Sequence, residues 1–191
     1  MKLRRPGILF TSFVGLTLLS GCAAAGVSPS DDDAADDTGD GDAVATAPFP
    51  GITSCEQVTA AIPGFVEGMS LVGDSVDDGA VMCMWAAPEG GPYASILISQ
   101  NDMPTDEQAT AGAKMLNLQA TSFTDARLSD LGGVGWRWTA DGSPDTTGYS
   151  TVYVPGVSVE IHRGKDGPDG DTSYAPADSE AIDVTLAVLK L

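Results

Sequence analysis

The residues that could do chemistry are few: one histidine, a tryptophan pair, scattered carboxylates and three cysteines. His162 lies in Val157-Ser158-Val159-Glu160-Ile161-His162-Arg163. On a strand, Val157, Val159 and Ile161 share an apolar face, and Ser158, Glu160 and His162 point the other way. If Pro155-Gly156 closes a two-residue hairpin, Tyr153 stands opposite Ser158, Thr151 opposite Glu160 and Tyr149 opposite His162. Tyr149, Tyr153, Glu160 and His162 together would make a ligand face; the plainer reading is a solvated or helix-covered sheet face. Trp136-Arg137-Trp138 places both indoles on one face of a strand. They read either as core, with Trp85 joining them, or as a stacking platform for flat ligands. Two acidic stretches half-resemble calcium loops. Asp36-x-x-x-Asp40-x-Asp42 lacks the closing glutamate, and Asp169-x-Asp171-x-Ser173 with Glu180 has Tyr174 where the turn needs glycine. Both read as solvated loops. No metal site and no cofactor is expected: one histidine cannot build a histidine-rich centre, and nucleophile elbow, phosphate loop and dinucleotide fingerprint are all missing.

The cysteines divide by position. Lys2, Arg4 and Arg5 precede an apolar run from Gly7 to Leu19, which ends in Leu19-Ser20-Gly21-Cys22. A run of about thirteen residues matches the apolar region of a signal peptide and is too short to span a bilayer. The order of charge, apolar run, small residues and cysteine reads as a bacterial lipobox, with Cys22 as the lipid attachment residue. The competing reading is ordinary secretion with cleavage near Ala23-Ala24-Ala25. An exported chain meets an oxidising compartment, so Cys55 and Cys83, the two cysteines left, are expected to form a disulfide. A reactive thiol is the alternative, but there is no Cys-x-x-Cys and no histidine nearby in sequence.

Around these residues the chain divides into three parts: a leader over 1–21, Cys22 with an acidic tether to 50, and one domain over 51–191. The whole chain carries nine Lys+Arg against 27 Asp+Glu, a net charge of −18. Removing 1–21, which holds three basic and no acidic residues, takes it to −21. That balance argues against nucleic acid and against electrostatic attraction to an anionic membrane surface. The tether has seven aspartates among Ala, Gly, Ser, Pro and Thr and no basic residue. It is expected to be an expanded coil with a reach of roughly 30 Å.

In the domain, Ser54-x-x-Gln57 reads as a capping box opening a helix over 55–61, and Pro63-Gly64 ends it. Phe65, Glu67, Met69 and Leu71 alternate as a first strand. Strands follow at 80–87 and 93–100, on either side of Pro88-Glu89-Gly90-Gly91-Pro92. Thr105-x-x-Gln108 starts a second helix running to about Leu118. Strands are expected at 134–140, 147–154 and 157–163, with a weaker one at 121–128, and a last helix over 178–189. The order α-β-β-β-α-β-β-β-β-α with short connections implies an α+β fold. Its antiparallel sheet has six or seven strands flanked by three helices.

Ser54-Cys55-Glu56-Gln57, Cys83-Met84-Trp85, Leu131-Gly132-Gly133-Val134-Gly135, the strand pair from Tyr149 to Arg163 and the lipobox with its acidic tether resemble a group of actinobacterial lipoproteins. These carry a domain of unknown function with a Cys…Cys-x-Trp pair. The resemblance implies the Cys55–Cys83 disulfide and an antiparallel sheet flanked by helices. It is similar in architecture to the Mog1/PsbP-like fold and to the sensor domain of a mycobacterial receptor kinase. The family supplies no catalytic residues.

The resulting expectation is a non-catalytic module, lipid-anchored at the extracytoplasmic face of the cell membrane. It would bind or sense a small ligand or an envelope protein and no nucleic acid. The alternative is an envelope hydrolase using a carboxylate pair, which would need two carboxylates about 5–9 Å apart in a cleft.

Overall fold

The computed structural model describes residues 51–143, 147–165 and 173–190. The leader, Cys22, the tether, Asp169 and Asp171 lie outside the described residues. The elements run α1 (Cys55–Ala61), β1 (Ser70–Asp77), β2 (Ala80–Ala86), β3 (Tyr93–Ser99), α2 (Asp106–Met115), β4 (Gln119–Phe123) and α3 (Ala126–Asp130). Then come β5 (Val134–Thr139), β6 (Gly148–Val154), β7 (Val157–Gly164), β8 (Ser173–Tyr174) and α4 (Asp178–Leu189). This is an α+β architecture built on one antiparallel sheet in the order β1-β2-β3-β7-β6-β5-β4, with β8 paired to the end of β7.

Alternation sorts the side chains into two layers. On one face Val81, Cys83 and Trp85 of β2 line up with Ile98, Ile96 and Ala94 of β3; Val157, Val159 and Ile161 of β7 continue that face. Val58 and Ile62 from the α1 region and Ile182, Val184 and Val188 of α4 close over it, and Leu128 of α3 joins them. These residues are almost wholly buried, so this layer carries most of the hydrophobic stabilisation. The Cys55–Cys83 disulfide, with Cα atoms 5.6 Å apart, staples α1 to β2 inside this layer. On the opposite face a smaller cluster forms where Ala109 and Ala113 of α2 cover Trp136 and Trp138.

Several expectations are corrected. Residues 65–69 do not begin a strand: Phe65 N–H bonds Ile62 O, Met69 N–H bonds Val66 O, and Gly68 takes φ +76°. These turns tuck Phe65 and Val66 into the core, and the strand starts at Ser70. The weak strand over 121–128 is half right. β4 ends at Phe123, and Asp125 then caps α3, its Oδ1 accepting from Leu128 N–H at 3.0 Å. With α3 and β8 there are four helices and eight strands among the described residues, against three and six or seven.

Of the two expected capping boxes, the one at Thr105 and Gln108 is complete. The one at Ser54 is not. Gln57 reaches past Ser54 to Thr53, accepting from its N–H at 3.0 Å and donating to its hydroxyl at 3.1 Å. Ser54 instead hydrogen-bonds the Glu56 carboxyl, which holds that acid below its usual range.

Candidate ligand face on the sheet

The β6–β7 hairpin closes through Pro155-Gly156, with Gly156 at φ +86° after a proline, the combination a type II turn needs. Its register is the one the two-residue loop implies. Val154 pairs Val157, Tyr153 pairs Ser158 and Thr151 pairs Glu160. One step further along, the rings of Tyr149 and His162 stack with centroids 4.8 Å apart and planes 20° from parallel. Tyr149, Tyr153, Glu160 and His162 are therefore brought together on one sheet face.

The stack continues across the strands. Tyr149 stacks on Trp138 at 5.9 Å, and Trp138 lies 6.3 Å from Trp136. Both indoles are core under α2, not a platform. Trp85 does not join them: it lies in the other layer, its Nε1–H donating to Thr59 Oγ1 of α1 at 2.9 Å. Trp138 is pinned by its own N–H, donating to the buried Thr151 hydroxyl at 3.1 Å. The rigid end of the line thus holds Tyr149 and His162 in place at its partly exposed end.

Polar chemistry gathers at that end. His162 Nε2 and Glu160 Oε1 are 2.8 Å apart, so a proton on Nε2 is donated to the carboxylate. The two side chains are about one-quarter and one-third exposed. Burial pushes the Tyr149 phenol up to about 12, with the charge of Glu160 and then Tyr153 adding to the shift. Burial, then Glu160, raises Tyr153 in the same way. Both phenols therefore remain hydrogen-bond donors through the neutral range.

Sequence reasoning missed the neighbours of this site. In register with His162 are Ser95 and then Met84; in register with Glu160 are Leu97 and then Met82, which is 44% exposed. Their signal was present: β2 and β3 carry apolar side chains at outward positions between the core residues. Ser99 and Ser158 face each other with hydroxyls 3.1 Å apart, and Asn101 Nδ2 donates to both. α2 covers the β4–β5 side of this face, and the β2–β3–β7 side carries partly exposed residues.

Away from this face, a groove of about 290 Å³ runs between Ala61–Phe65 and α4, with Glu180 and Asp183 on one wall. Each carboxylate is held by an arginine: Glu180 by Arg163 at 2.5 Å and Asp183 by Arg127 at 2.7 Å. Glu180, the position where a calcium loop would need its closing ligand, is bound to Arg163. Among the described residues no three His, Cys, Asp or Glu side chains gather into a metal-binding group. Likewise no described helix is long and apolar enough to cross a membrane. No family model matches the chain, and neither a curated protein nor a solved structure matches it.

Proposed function

We propose that this chain is a lipid-anchored binding or sensing module of the cell envelope, held by Cys22 at the extracytoplasmic face of the membrane, and that it is not an enzyme. The lipobox and the acidic tether support the anchor, as does the resemblance to actinobacterial lipoproteins. What carries the binding role is the convergence of Tyr149, Tyr153, Glu160 and His162 on a partly open sheet face, positioned by a buried aromatic line. A rigid aromatic surface with a few polar groups is the usual composition of a ligand site. The domain over 51–191, with six basic and twenty acidic residues, favours cationic or neutral partners over anionic ones.

Native mass spectrometry of protein purified from its own membrane should find a retained ligand that Tyr153→Ala loses while the domain stays folded. Retention unchanged in that variant would move the site elsewhere, and the α1–α4 groove is the next place to look. Cys22→Ala should leave the membrane fraction; a variant still membrane-bound without detergent would refute the lipobox reading. The hydrolase reading keeps one foothold, because Glu180 and Asp183 line one groove. Turnover of an envelope substrate that Glu180→Gln abolishes would establish it over the binding role.

A further inference from the structure

We infer that Glu160, set between Tyr149 and Tyr153, is the recognition point for an organic cation, an ammonium or guanidinium group carried on an apolar body. The inference rests on the reading of this sheet face as the binding site and adds the chemistry of what binds there. Tyr149, Thr151 and Tyr153 follow one another on the same face of β6, each about 7 Å from the next. Glu160 stands directly across from Thr151, at the register position between the two tyrosines, and its carboxylate reaches His162. The Thr151 hydroxyl is occupied with the Trp138 N–H, and the partner seen on the carboxylate is His162.

Of the domain's six Lys and Arg side chains, four are engaged away from this arrangement. Arg127 is bound to Asp125 and Asp183, Arg137 to Asp178 and Arg163 to Glu180. Lys165 sits over the Tyr174 ring. The ring face of a tyrosine is itself electronegative; the faces of Tyr149 are taken by Trp138 and His162, so it is Tyr153, beside the carboxylate, that adds to a field attracting a cation. Glu160 does reach both phenols, since its charge contributes to raising each of them. The basic group that the described residues place here is His162, already engaged with the Glu160 carboxylate, and a metal ion would find only His162 and Glu160.

The apolar half of the ligand is set by register. From Glu160 the row passes through Leu97 of β3 to Met82 of β2. Two strand spacings give an apolar strip of about 10 Å leading away from the carboxylate. A cation with an aromatic or alkyl tail fits that row, its charge at Glu160 and its tail toward the exposed Met82 thioether.

The test is a titration of isotope-labelled full-length protein in detergent, followed by amide chemical shifts. The probes are benzyltrimethylammonium, whose charge does not depend on pH, and benzyl alcohol as a neutral comparator of similar shape. The cation should shift the amides of β6 and β7 around Tyr149, Tyr153 and Glu160. Glu160→Gln should weaken it by about tenfold or more while leaving the alcohol unchanged. Tyr153→Phe, which keeps the ring, should bind nearly as well as the parent, and Tyr153→Ala should not. Equal binding of both probes on this face, insensitive to Glu160→Gln, would overturn the cation assignment and leave the binding face standing. Shifts confined to the α1–α4 groove, or no shifts with the cation, would also overturn it. The face itself is then judged by whether Tyr153→Ala loses the retained ligand.

Discussion

Replacing Cys55 and Cys83 together by alanine should lower the thermal midpoint of the domain by about 12 °C. The disulfide joins residues 28 apart in sequence, and both cysteines are buried. Closing a loop of that length restricts the unfolded chain by about 3.6 kcal/mol at 25 °C on the chain-entropy model. A domain of roughly 140 residues has an unfolding entropy near 0.3 kcal/mol/K, which converts that figure to about 12 °C. The loss should not be spread evenly. α1 has seven residues, too few to hold as an isolated helix, and it docks through Val58, the Thr59–Trp85 hydrogen bond and the disulfide. Without the staple, α1 should open by itself before the sheet does. Differential scanning calorimetry of oxidised, reduced and double-alanine protein separates the terms, because reduced thiols fill the same space while lacking the link. Hydrogen exchange then reads α1 directly. A midpoint that falls by less than about 4 °C on reduction, or α1 amides that stay protected to the global limit, would refute this account.

The two helix starts should respond differently to loss of the hydroxyl: Thr105→Ala should cost about 1 kcal/mol in urea unfolding, and Ser54→Ala less than about 0.5, because only Thr105 caps its helix. Equal costs would contradict the geometry. Ultraviolet titration should show Tyr149 ionising near pH 12 rather than 10, and Glu160→Gln should bring both Tyr149 and Tyr153 down toward the ordinary value. Because the unfolded chain loses these protons first, stability should be undiminished below about pH 10 and fall as pH rises toward 12. Flat stability across that window would refute the burial of the phenols. Leu128→Ala, at a fully buried position in α3, should cost about 3 kcal/mol by denaturant unfolding; less than 1 would mean that α3 does not seal the core.

Most elements could be read locally. β2, β3, β5, β6, β7, α1 and α4 lie within a residue or so of where alternation and turn residues place them. The β6–β7 register follows from a two-residue loop alone, which is why the Tyr149–His162 pairing was legible. The misses are short elements or competing local bonds. α3 spans five residues, too few to show a helical period, and β8 spans two. At Ser54 the box failed because Thr53 offers Gln57 two hydrogen bonds. The placement of Trp85 was a different kind of miss. Which layer it occupies relative to Trp136 depends on β3 pairing with β7 in the register Ser99 to Ser158, across nearly sixty residues. No local pattern encodes that parity. The open half of the candidate face was legible only in part: the outward apolar positions of β2 and β3 show locally, but that Met82 and Leu97 meet Glu160 follows only from that long-range pairing.

α2 reaches the sheet through two alanines, and Met115 and Leu116 at its end stay exposed. Both alanines are almost fully buried against the indoles, but their single methyls contribute little apolar area, so the helix is held to the sheet by a small contact. Lifting it would wet Trp136 and Trp138 while the larger layer, with its disulfide on the other side of the sheet, stayed intact. The aromatic line, now partly exposed at Tyr149 and His162, would then be bare along all four rings. The length of this surface would accordingly be set by how often that one helix left its place. Severing the covalent link beneath the opposite face should leave that frequency unchanged.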